Sequence, residues 1–84
     1  MEKNLEKELE NKLSKLYLKE QRLYLRSKSN FYKKETIHED IKNFLEYCIS
    51  ERKEWARRED LGEGDFWKYA FYLGNQIMRW GKKY

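Results

Sequence analysis

The sequence predicts an all-α protein, a small three-helix bundle in which a long N-terminal helix packs on a helix-turn-helix hairpin. Three observations predict it. There is no proline, and the four glycines all lie after residue 61, so the first three-quarters of the chain holds no strong helix breaker. Leu, Lys, Glu and Arg, all good helix formers, are abundant. Apolar residues recur at helical spacing in three separate segments. Disorder is excluded despite 40 % charged residues, because 17 % of the chain is aromatic and disordered segments are poor in such side chains. Residues 1–84 are read as one domain.

The first helix is expected over residues 2–26. Leu5, Leu9, Leu13, Leu16 and Leu23 fall on one side at 100° per residue, with Tyr17 and Tyr24 flanking them. Leu18 and Leu25 widen that side. Leu16-Tyr17-Leu18 returns seven residues later as Leu23-Tyr24-Leu25, which also reads as two strands around Lys19-Glu20-Gln21-Arg22. That hairpin is rejected, because a tight turn wants Asn-Gly or Asp-Gly and these four residues favour helix. Ser27-Lys28-Ser29-Asn30 reads as a turn, followed by Phe31 and Tyr32.

The second helix is expected over 37–61, opened by Thr36-Ile37-His38-Glu39 as a capping box. Its apolar stripe is Ile37, Ile41, Phe44, Leu45, Cys48, Ile49, Trp55 and Ala56, with Arg52 inside it. Gly62 is expected as a left-handed cap and Asp65 as the N-cap of a third helix over 66–80. Phe66, Tyr69, Ala70, Leu73, Ile77 and Trp80 form its inner face. Trp67, Phe71, Gly74 and Met78 form a second apolar strip beside it. Such an apolar arc is wider than an amphipathic helix needs.

Charge is segregated. Residues 11–34 carry eight basic and one acidic side chain, residues 35–65 five and ten, residues 66–84 four and none. Lys12, Lys15, Lys19, Arg22 and Arg26 stack on one face of helix one, read as roughly opposite the leucines. They offer a surface for an acidic partner or nucleic acid, or else a solvated face paired with acidic helix two. Lys68, Tyr72, Asn75, Gln76 and Arg79 share the outer side of helix three and suit phosphate contacts, stacking and base-edge hydrogen bonds.

Catalytic chemistry is scarce, and the chain is read as no enzyme. His38 beside Glu39 and Asp40 is read as a solvated histidine near a cap rather than a proton-transfer group. Cys48 lies in an apolar stripe and is read as a small core residue, not a nucleophile. One Cys and one His cannot complete a structural zinc site, so neither metal nor cofactor is expected. Gly62-Glu63-Gly64 lacks the strand and the Gly-Lys-Ser/Thr of a phosphate loop. Lone cysteine usage and the charged N-terminus favour a cytoplasmic setting, and no apolar run reaches the roughly 20 residues that span a bilayer.

Aromatic residues carry the stronger signal. Phe44, Trp55, Phe66, Leu73 and Trp80 are expected in the core. Tyr17, Tyr24, Trp67, Phe71 and Met78 exceed what one small core needs and are candidates for contact with another protein. As a type, a small charged domain without a catalytic signature resembles the accessory proteins of phages and mobile elements. That resemblance implies a regulator or inhibitor that blocks a host enzyme or defence complex. Two alternatives stand beside it: a nucleic-acid binder using both basic faces, and a self-associating module in which helix one pairs with a second copy as a homodimer.

Overall fold

The computed structural model describes residues 2–29 and 33–84 and, for Glu2 and Lys3, the backbone alone. Asn30, Phe31 and Tyr32 of the expected turn lie outside the described residues. Among the described residues three helices follow in order: α1 (Glu2–Lys28), α2 (Lys34–Ala56) and α3 (Glu63–Gly81). The all-α bundle is therefore the fold.

Helix α1 is about 40 Å long at 1.5 Å per residue and sets the long axis of a 46 × 19 × 14 Å molecule. Leu9, Leu16 and Leu23 are buried at seven-residue spacing, and Leu5 and Leu13 pack partly against the core. The helix runs two residues past its expected end. Arg26 and Lys28 in its last turn suit the negative end of the helix dipole. The Ser27 hydroxyl donates to the Tyr24 carbonyl at 2.7 Å, inside the end of the helix.

Helix α2 begins three residues earlier than expected, and the Thr36 capping box does not form. Lys33 is the N-cap, in extended backbone without a side-chain cap bond. The amide of Ile37 already donates to Lys33 O, so Thr36 stands inside the first turn with its side chain in solvent. The preceding Lys34 and Glu35 are good helix formers and carry the helix back past the threonine. The other end falls at Ala56, not 61. Arg57 and Arg58 amides close tight turns onto Glu54 and Trp55 carbonyls. The Arg58 guanidinium then grips Asp60 through two bonds of 2.9 and 2.6 Å, folding the chain back on itself.

Gly62 is not a left-handed cap. Its backbone is extended (φ −73°, ψ 162°), and it is the N-cap of α3. Asp65 is displaced from that role into the first turn, beside Glu63, where both carboxylates still favour the helix dipole.

Side-chain pairings fix the topology. Glu8, Lys12 and Arg26 of α1 meet Arg58, Glu51 and Asp40, so α1 and α2 are antiparallel. Lys12 lies over Tyr69 and Glu20 meets Trp80, so α1 and α3 are parallel. The core sits mainly between α2 and α3. Trp55, Tyr69, Leu73, Trp80 and Cys48 are its largest fully buried side chains. Trp55 meets Tyr69 edge-on at 5.0 Å, and Phe44 meets Trp80 at 6.4 Å. Each polar tip is satisfied: Trp55 Nε1 donates to Phe66 O, Trp80 Nε1 to Glu20, and Tyr69 OH to Glu51. Phe66 is half-buried. Ile49, Arg52 and Ala56, expected in the α2 stripe, are exposed.

Candidate protein-binding surfaces

The basic face of α1 does not point away from the leucines. It lies about a quarter turn from them and rests against α2. Lys12 Nζ stands 3.2 Å from Glu51 and over the rings of Trp55 and Tyr69. Lys15 and Lys19 lie over the ring of Tyr47, at 5.9 and 4.7 Å. Arg26 is 3.7 Å from Asp40. Arg22 is exposed beside an open groove that also takes in Lys19, Asn43 and Tyr47. Acidic helix two thus engages most of the stripe.

Glu51 is the centre of this seam. It accepts hydrogen bonds from Tyr69 OH (2.9 Å), Lys12 (3.2 Å) and Tyr47 OH (3.4 Å). Burial alone would raise its pKa. The bonds from Tyr69 and Lys12, with the Lys12 charge, outweigh that and hold the carboxyl below its ordinary value. Burial and then the facing Glu51 push both phenols, Tyr69 and Tyr47, upward.

On the outer side of α3, Lys68, Tyr72 and Asn75 are exposed and Gln76 is half-buried. Arg79 reaches back to Glu20 at 3.0 Å. Of the ten basic or polar candidates, Lys12, Arg26 and Arg79 are therefore ion-paired within the chain. Among the described residues, Lys15, Lys19, Arg22 and Lys68 have no carboxylate within 4 Å.

The aromatic candidates fare differently. Tyr17, Tyr24, Trp67, Phe71 and Met78 are all exposed, from 46 % for Tyr24 to 66 % for Met78. They form two separate patches. Tyr17 and Tyr24 share α1 with exposed Leu18 and Leu25. Trp67, Phe71 and Met78 line one side of α3. Leu18 and Leu25, which sequence reasoning placed beside the core leucines, belong to the first patch. The signal was present, since each lies about half a turn from Leu16 and Leu23. Near the top of α1, Glu20, Gln21 and Tyr24 face Arg79, Trp80 and Lys83 across an open groove of about 350 Å³.

The residues with catalytic potential are not assembled with one another. Cys48 is fully buried, and burial pushes its thiol up to about 12, so it stays protonated at neutral pH. His38 is half-buried near the start of α2, its ring 6.4 Å from that of Tyr84. Among the described residues no group of His, Cys, Asp and Glu side chains is placed to hold a metal ion, and no helix is long and apolar enough to cross a membrane. Compared with family models, curated proteins and solved structures, the chain finds no significant match in any of the three.

Proposed function

We propose that this chain is a non-enzymatic, protein-binding regulator, acting as an inhibitor in the manner of the small accessory proteins it resembles, in a cytoplasmic setting. One observation carries the reading: the two candidate sets are treated differently by the fold. The basic stripe is largely engaged by α2, whereas all five aromatic and methionine candidates stay in solvent. Large exposed apolar side chains on a small domain are the usual anchors of a protein interface.

The test is binding from nuclease-treated cell extract to the immobilised protein, with any retained protein purified and rebound. A partner lost on Trp67→Ala or Tyr24→Ala, with the helical circular dichroism spectrum kept, supports the reading. Nucleic acid is tested in parallel by light scattering with short DNA and RNA. A mass shift whose log affinity falls with log salt at a slope of about −4.5, as five neutralised phosphates give on duplex DNA, overturns it.

A further inference from the structure

The apolar side of α3 has a feature that the rest of the fold does not use. Trp67, Phe71, Gly74 and Met78 fall within about 60° of one another, and about 150° from the buried Tyr69, Leu73 and Trp80. Gly74 is the one glycine in the interior of a helix, where glycine is less stable than alanine. Its own chain does not need the space: a Cβ built there meets no atom within 4 Å. The missing side chain leaves a dip between Phe71 and Met78, the shape that admits close approach of another backbone.

The rim of this strip is positive. Residues 66–84 hold four basic side chains and no acidic one. Arg79 is occupied by Glu20. Lys68 and Lys82 stand toward the strip's edge by the helical period, and among the described residues neither has a carboxylate within 4 Å. Glu63 and Asp65, in the first turn, are the acidic groups at the N-terminal end of α3. A second copy is a poor occupant. Two α3 helices crossing antiparallel at Gly74 would set Lys68 of one against Lys82 of the other.

Resting on the protein-binding reading, we propose that this strip docks an acidic amphipathic helix of a partner protein, its backbone crossing at Gly74 and its carboxylates meeting Lys68 and Lys82.

The probe is a peptide helix of about 18 residues with leucines at i, i+3, i+4 and i+7 and glutamates on its remaining faces. A matched peptide carries lysines instead. Amide and indole shifts of the full-length protein are followed by NMR during titration. The glutamate peptide should shift the Trp67 indole and Gly74 amide, and the lysine peptide should not. Gly74→Leu should weaken binding about tenfold or more while raising the melting temperature, since leucine is the better helix former. Glu46→Gln, at an exposed position of α2, should leave this binding unchanged.

Equal binding of both peptides, or no shift on α3 up to millimolar peptide, overturns the proposal. So does a concentration-dependent dimer abolished by Gly74→Leu. If the peptides fail while Trp67→Ala still releases a captured partner, the protein-binding reading survives and the acidic-helix reading falls. If the glutamate peptide binds and no partner is captured, the strip's preference stands on its own.

Discussion

The α2–α3 hairpin and helix α1 are held by different forces. Between α2 and α3 lie Phe44, Cys48, Trp55, Tyr69, Leu73 and Trp80, a buried, largely aromatic seam whose ring polar tips are each satisfied. Helix α1 adds three buried leucines and surrounds them with charge: Glu8 with Arg58, Lys12 with Glu51, Glu20 with Arg79, and Arg26 with Asp40. Buried apolar area resists salt and pH. Ion pairs that are partly open to water are weakened by both. The hairpin is therefore expected to be the more stable unit, with α1 its adjustable attachment.

The largest expected effect strikes the hairpin. Trp55→Ala removes the edge-on contact with Tyr69, the bond to Phe66 O and the surface on which Lys12 and Arg58 rest. A loss of about 3–5 kcal/mol is expected, enough to unfold much of a domain this small. Urea unfolding followed by circular dichroism measures it. A loss under about 1 kcal/mol would mean that the hairpin is not the stabilising unit.

Leu16→Ala sharpens the contrast. It should cost about 2–3 kcal/mol, toward the low end for a buried leucine, because one side of α1 faces solvent and can relax. Hydrogen exchange should show α1 amides losing protection while those of α2 and α3 keep theirs. Uniform loss across all three helices would show one cooperative unit instead.

Glu51 couples the two regions, since it lies on α2 and takes bonds from Lys12 of α1 and Tyr69 of α3. Glu51→Gln keeps the shape and removes the charge, and should cost about 1–2 kcal/mol near neutral pH. The sign of its pH dependence follows from the lowered pKa. Its contribution is fully present above the ordinary value of 4.5 and is lost as pH falls below that through the folded value. The acid limb of the stability curve should therefore be shallower in Glu51→Gln. At the other end, the raised phenols of Tyr69 and Tyr47 contribute fully below 10.0, and that stability is lost as pH rises above it. An unchanged acid limb in the variant would assign the low-pH loss to other carboxylates, Asp60 beside Arg58 first among them.

Much of this contrast was legible in the sequence, and its limits have physical causes. Leu5, Leu9, Leu13, Leu16 and Leu23 of α1 and the inner face of α3 were read correctly because burial follows a helical period that the residues display, whereas Leu18 and Leu25, half a turn away, are exposed. Both ends of α2 and the start of α3 were not read correctly, because they are decided by interactions the period does not encode. Tight turns of the Arg57 and Arg58 amides onto Glu54 and Trp55 close α2 at Ala56, and Gly62 caps α3 through an extended backbone. The basic stripe was misplaced for a related reason. Angles within one helix say which cations stand together, but not which neighbouring helix they meet. The exposed aromatics were legible as a surplus over what a small core needs, though not their separation into two patches.

The smallest expected effect isolates the charged seam itself. Raising salt from about 0.05 to 0.5 M shortens the screening length from roughly 14 Å to about 4 Å. The Arg57–Glu54 pair at the C-terminal end of α2 is exposed at both ends, so Arg57→Ala should change stability by less than about 0.5 kcal/mol at either salt. Arg58 differs, for its guanidinium meets Glu8 of α1 and Asp60 at 2.6 Å each and lies 5.0 Å from the Trp55 ring. Arg58→Ala should therefore cost more, about 1 kcal/mol at low salt. Salt should remove only part of that cost, because packing on the ring is not screened. If the two arginines respond alike, the attachment of α1 owes nothing to Arg58. If the Arg58 effect survives high salt in full, the cost lies in the ring contact within the hairpin, and the Glu8 ion pair does not hold α1 at that end.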